Sequence, residues 1–81
     1  MSHPALPASL IAVDVAVMLT AIVRPEPDVG GYSASIPALP GCHTQGETLD
    51  EVRANLREAA AGWLAVAHDD AVARDADEEV P

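Results

Sequence analysis

Residues 32–56 read "YSASIPALPGCHTQGETLDEVRANL", and their reading decides the fold, because the hydrophobic period changes within them. Tyr32, Ala34 and Ile36 alternate with Ser33 and Ser35, the period of a strand buried on one face. From Leu49 onward the period becomes helical: Leu49, Val52, Leu56, Ala59, Ala60, Trp63 and Ala67 recur at three- and four-residue steps and form one apolar stripe, while Arg53, Arg57 and Glu58 fall off it. Thr48 and Glu51 stand at capping-box spacing at the start of this helix, which the pattern carries from about Leu49 to about His68. Between strand and helix, Pro37 and Pro40 fix their own backbone angles and bias Ile36 and Leu39 toward extended forms. Gly41 is free to take a positive φ and Gly46 to allow a sharp entry into the helix. This loop reads as a stiff connector that presents Leu39 and Pro40 at low entropic cost.

Working outward, Val15 to Arg24 is aliphatic and β-branched up to Pro25, as for a strand with two apolar faces that wants cover on both. "PEPDVGG" at 25–31 supplies turn chemistry for a hairpin to the second strand, and a short third strand fits Cys42 to Gln45. Residues 1–12 hold two prolines and no clear period, so they read as a flexible N-terminal extension. Met18 leaves a later natural start open. The domain proper is assigned to 13–68, followed at 69–81 by an acidic C-terminal tail, either solvated or ordered by a partner. Ala71 to Arg74 is the only stretch there with the look of a fourth strand.

With 81 residues, one Trp, one Tyr and no Phe, the core must be a thin one of Ala, Val, Leu and Ile. A domain of this size buries only about 60% of its unfolded surface, so self-association or a partner is expected. Four Arg, no Lys and thirteen acids give a net charge of −9, which repels phosphate and disfavours direct nucleic-acid binding. The same field steers a basic protein partner. Cys42 is alone, so no internal disulfide forms and a cytoplasmic setting is expected. Ala5 to Val23 is apolar, yet Asp14 and Pro7 interrupt it and no cation precedes it, so it does not read as a membrane anchor.

Adjacent Cys42 and His43 invite a nucleophile-and-base reading, but neighbours in an extended chain point to opposite faces. Cys42, His43, His3 and His68 show no metal-ligand spacing, and the acids Glu47, Asp50 and Glu51 are explained by the helix macrodipole. No catalytic residue, metal or cofactor is assigned, and an enzyme is not expected.

The run Gly30 to Leu64 resembles the N-terminal domain of HicB-type antitoxins. That family carries a G-Y pair, P-x-L-P-G-C, a T-x-G-x-T turn and a helix with an E-A-x-x-N-x-x-E-A pattern. Tyr32, Pro37, Leu39, Pro40, Gly41, Cys42, Thr44, Gly46, Thr48, Glu51, Asn55, Glu58 and Ala59 match it position by position, with Val52 where the family often has Ala. The resemblance implies an α+β fold: a three-stranded antiparallel sheet with one helix packed on one face, usually a fourth short strand, and a partial ribonuclease H-like architecture. It also implies binding to a small basic ribonuclease toxin of the HicA type and a block on its activity. Full-length members continue into a DNA-binding domain, whereas thirteen residues follow His68 here, so a short form without DNA binding is expected.

The functional expectation is therefore a homo-oligomer, dimer or tetramer, that neutralises such a toxin. Its partner contacts are assigned to Tyr32, Leu39, Pro40 and the tail acids Asp69, Asp70, Asp75 and Asp77. The alternative is a stand-alone oligomer with a structural or ligand-binding role and no toxin; a third reading, a cryptic metal-dependent nuclease, predicts cleavage by the isolated chain.

Overall fold

The computed structural model of the chain describes residues 9–78, with side chains described through Asp75. Strands β1 (Ile22–Pro25), β2 (Tyr32–Ser35) and β3 (His43–Gly46) precede a single helix, α1 (Leu49–Glu78). The strands form one antiparallel sheet in the order β1-β2-β3. Ala34 of β2 lies opposite Val23 on one side and Thr44 on the other, and Ser33 lies between Arg24 and Gln45. Because side chains alternate across a sheet, Val23, Ala34 and Thr44 share one face with Pro25, Tyr32 and Gly46. Helix α1 crosses that face over β2 and β3 and does not reach β1. The opposite face carries Ile22, Arg24, Ser33, Ser35, His43 and Gln45. This is the α+β arrangement implied by the sequence, with three strands and one helix.

Local chemistry accounts for the joints. The β1–β2 hairpin is closed by the Glu26 amide donating to the Gly31 carbonyl and the Gly30 amide donating to the Glu26 carbonyl. The Glu26 carboxylate also accepts from the Ser33 hydroxyl at 2.7 Å. At the start of the helix, Thr48 Oγ1 accepts the Glu51 amide at 3.1 Å, so the first half of the capping box is made.

The first strand is much shorter than its apolar run. Residues 9–21 have no regular structure, and the expected strand from Val15 contracts to Ile22–Pro25. The reason lies in its partner: β2 ends at Ser35, the Ile36 amide bonds the Cys42 carbonyl on the β3 side at 3.1 Å, and Pro37, the next residue to face β1, has no amide to offer. Nothing remains for residues before Ile22 to ladder against. Pro25 does not stop the strand short but is its last paired residue, opposite Tyr32, a position that an edge strand tolerates. The two-sided cover expected for Val15 to Arg24 is absent, since Val15, Val17 and Met18 are 79%, 68% and 96% exposed. Of the N-terminal extension, residues 1–8 lie outside the described residues and 9–12 are irregular.

The helix is longer than its stripe, running on from His68 to Glu78. The fourth-strand candidate Ala71 to Arg74 is helical, as is the acidic segment 69–78; residues 79–81 lie outside the described residues. Ala65, Ala67, Ala71, Ala73 and Ala76 explain this, since alanine is the strongest helix former and no Gly or Pro intervenes. Carboxylates near a helix C-terminus oppose the macrodipole by only about 0.3–1 kcal/mol each when exposed.

The core sits where the loop meets the helix. Ile36, Leu39 and Cys42 form its buried cluster, against which Leu19, Ala21, Leu56, Ala59, Ala60 and Trp63 pack. Leu39 thus leaves the expected rim: it is 5% exposed, drawn inward because its amide donates to the Ile36 carbonyl and its carbonyl accepts the Cys42 amide, both at 2.9 Å. Gly41 takes φ +84° at the exit of this turn, the left-handed form that glycine adopts without strain. Gly46 has another role than a sharp helix entry, because a Cβ there would stand 3.0 Å from Val52 Cγ2 and 3.1 Å from the Val52 amide nitrogen. It lets Val52, the most buried side chain at 1% exposure, close on β3. Gly46→Ala should cost about 1–3 kcal/mol of stability by overpacking, measured by urea denaturation. Combined with Val52→Ala, the loss should fall short of the sum of the single losses, as for two groups in contact.

Candidate protein-binding groove

The loop and helix that build the core also leave a groove on their outer flank. The Trp63 indole N–H donates to the Pro40 carbonyl at 2.8 Å and pins the loop to the middle of α1. Asn55 Nδ2 donates to the Gln45 carbonyl at 2.9 Å and pins β3 to the first turns of the helix. Around and beyond the Trp63 contact, Gly41, Cys42 and His43 on one side and Ala59, Gly62, Trp63, Val66 and Ala67 on the other line an open groove of about 600 Å³. Its helical residues fall at three- and four-residue steps along one flank of α1. The surface is mostly apolar, and Glu58 and Asp70 stand at its rim.

The groove suits a side chain with an apolar stem and a cationic head. Apolar walls take the stem and the rim carboxylates take the charge, the geometry in which Arg and Lys bury their methylenes while keeping the head in water. Gly62 is informative here. A Cβ at this position would meet nothing within 4 Å, so packing within the chain does not call for glycine, although a helix-interior Gly costs about 1 kcal/mol relative to Ala. Its lack of a side chain deepens the groove instead.

The residues assigned from sequence are only partly brought together. Pro40 is exposed beside Trp63, and Asp70 stands on the groove rim. Asp69 and Asp75 are exposed on the projecting half of α1; the Asp69 carboxylate contacts His68 Nδ1 at 3.2 Å. The backbone of Asp77 is helical, and its side chain lies outside the described residues. Tyr32, half-buried, opens β2 opposite Gly46, at the far end of the sheet from the loop that follows Ser35. Leu39 is in the core. The sequence reading assigned no partner contact to His43, Glu58, Gly62 or Val66; the glycine inside the helix was the available signal.

Cys42 is a free thiol, buried in the core cluster. Among the described residues no group of three or more His, Cys, Asp or Glu is placed to hold a metal ion, and no helix is long and apolar enough to cross a membrane. The sheet's other face offers a shallow depression lined by Arg24, Ser33, Ser35, His43 and Gln45, with no acid among its lining residues.

The chain is similar to a UPF0150 protein of Archaeoglobus fulgidus, 43% identical over 49 residues that span 60% of this chain and 71% of the relative. A UPF0150 protein of Thermoplasma acidophilum is 38% identical over 63 residues, 75% of this chain and 90% of the relative. One from Thermotoga maritima is 44% identical over 41 residues, 51% and 55% of the two chains. No solved structure matches the chain. The model of the family described as "HicB_like antitoxin of bacterial toxin-antitoxin system" matches residues 19–80, a span that includes the three strands, the loop and α1. By that match the chain belongs to the HicB-like antitoxins.

Proposed function

We propose that this chain neutralises a small basic ribonuclease of the HicA type by docking it on the groove between the Pro40–His43 loop and α1. Family membership suggests an antitoxin role and a toxin partner in general. The observation that carries the finer reading is the apolar groove rimmed by Glu58 and Asp70 on a chain of net charge −9. Such a surface attracts a cationic protein over the distance of a Debye length and then holds an apolar anchor. The helical acids Asp69, Asp70 and Asp75 extend the negative field beyond the groove. A non-catalytic role in the cytoplasm fits this reading, with self-association through the first strand as a further part of it. A stand-alone homo-oligomer without a toxin is the second reading, favoured by the apolar surface of residues 10–18.

Two experiments test the proposal. Co-purification with the product of a small basic reading frame beside the gene, followed by an RNA cleavage assay, should show cleavage suppressed at equimolar chain; undiminished cleavage at excess chain removes the inhibitory role. Within that complex, Gly62→Leu should fill the groove and weaken binding at least tenfold by titration calorimetry. Gly62→Ala should raise the melting stability of the free chain by about 1 kcal/mol. Asp69, Asp70 and Asp75 changed together to Asn should slow association and flatten its salt dependence while leaving dissociation nearly unchanged.

A further inference from the structure

The outer edge of β3 has no neighbouring strand, and the register tells which backbone groups it presents. In an antiparallel ladder, pairs that exchange both backbone bonds alternate with pairs that exchange none. The Ile36 amide donates to the Cys42 carbonyl at 3.1 Å, one step beyond the Ser35–His43 pair. Ala34–Thr44 and Tyr32–Gly46 are therefore the bonded pairs, and the N–H and C=O of His43 and Gln45 point away from β2. The Gln45 carbonyl bears this out, since it accepts Asn55 Nδ2 at 2.9 Å from beside the sheet. Among the described residues the His43 amide and carbonyl and the Gln45 amide have no such partner, and both residues are exposed.

The helix runs along this edge. Asn55 reaches Gln45 and Trp63 reaches Pro40, so α1 passes β3 in the opposite direction, from the end of the strand back to the loop. At about 3.6 residues per turn, Ala59, Gly62 and Val66 share the flank of α1 that carries Asn55, and these three line the groove with Gly41 and His43. The groove is thus the space between the free edge of β3 and the helix, with backbone groups on one wall and apolar side chains on the other. From Asn55, which closes one end, to Asp70 at the rim the helix rises about 22 Å, the length of roughly seven extended residues.

We propose that the groove receives an extended segment of the cationic partner, which adds to the sheet as a fourth strand antiparallel to β3. The proposal rests on the functional reading and deepens it by naming how the partner is held. The residue opposite His43 exchanges both backbone bonds with it, and the residue opposite Gln45 accepts the Gln45 amide. Asn55 already holds the Gln45 carbonyl, so the added strand begins there and runs out past the loop toward Asp70. Opposed side chains share a face of a sheet, so every second side chain of the segment, opposite Thr44 and Cys42, points toward the helix. Gly62 leaves room for an aliphatic one, and Glu58 and Asp70 at the rim receive Arg or Lys heads on either side of it. Main-chain bonds of this kind supply affinity, and the alternate side chains supply specificity.

Charge selects the occupant. The rim acids stand on a chain of net charge −9, and Arg53 and Arg57 fall on the side of α1 opposite Asn55, away from the groove. A second copy joined edge to edge along β3 would bring the rim carboxylates of two like-charged chains together, whereas a cationic segment neutralises them.

The test needs no toxin. Its probe is the capped peptide acetyl-Thr-Arg-Thr-Val-Thr-Arg-Thr-amide, titrated into the full chain and followed by backbone amide resonances. In the free chain the His43 and Gln45 amides should exchange with solvent at least tenfold faster than those of Thr44 and Gly46. Saturating peptide should shift both resonances and slow both exchanges at least tenfold. N-methylation of the two inner threonines, whose amides face β3, should remove binding, and N-methylation of the valine, whose amide faces solvent, should leave it. His43→Pro, which deletes a donor the sheet itself does not use, should weaken binding at least tenfold with helical circular dichroism kept. If that variant does not fold, the methylated peptides decide alone. The proposal is overturned if the peptide fails to bind at millimolar concentration or if both methylated forms bind alike. His43 and Gln45 amides already protected in the free chain, as a second copy on this edge would leave them, overturn it too. Neutralisation is judged separately by the cleavage assay, so either reading can fail while the other stands.

Discussion

The structure depends on the way residues 36–42 fold back on themselves. Three backbone hydrogen bonds, Ile36 amide to Cys42 carbonyl, Leu39 amide to Ile36 carbonyl and Cys42 amide to Leu39 carbonyl, close the segment and turn Ile36, Leu39 and Cys42 inward together. Three of the five buried hydrophobic residues among those described belong to it. In a chain without Phe, the loop is the core and the sheet and helix are its walls. The same closure leaves the Pro40 carbonyl facing outward for the Trp63 indole, so the turn that makes the core also fixes where the helix crosses the sheet. Cys42 belongs to that packing, a small apolar side chain within the cluster.

A core this small leaves much apolar surface uncovered, and the surface is divided. On the β3 flank of α1 is the groove with carboxylates at its rim; on the β1 flank is the nearly uncharged run before β1. A charged rim raises the association rate and rejects partners of the same sign, whereas an uncharged edge strand admits any strand that can pair with it. The acidic helix between them carries Asp69, Asp70 and Asp75 exposed, so like charge is concentrated along its projecting half.

What the sequence made legible were features fixed by near neighbours. The alternation of Tyr32 to Ile36 and the Thr48 cap each involve a few adjacent residues, and both stand in the structure as read. The length of β1 depends on a remote fact, that β2 stops at Ser35; an apolar run reads the same whether it is a paired strand or irregular chain. The end of α1 was misjudged because the acids after His68 drew attention from the alanines between them. Leu39 reads as exposed in a proline-rich connector, and only the three hydrogen bonds of the turn reveal that it points inward. Of the groove's lining, Asp70 stood out in the sequence by its charge, while His43, Glu58, Gly62 and Val66 needed the crossing of helix and loop to bring them together.

The extension of α1 past the core ties these features to one another. Beyond Trp63 the helix runs about 22 Å further with only Ala67 half-buried among its described side chains, and its last turn carries no basic residue to offset the macrodipole. An isolated segment of this length and composition would be marginal in water. It is held at one end by the Trp63–Pro40 bond and the cluster around Ile36, so its nucleation is already met by the core and alanine propensity need only propagate it.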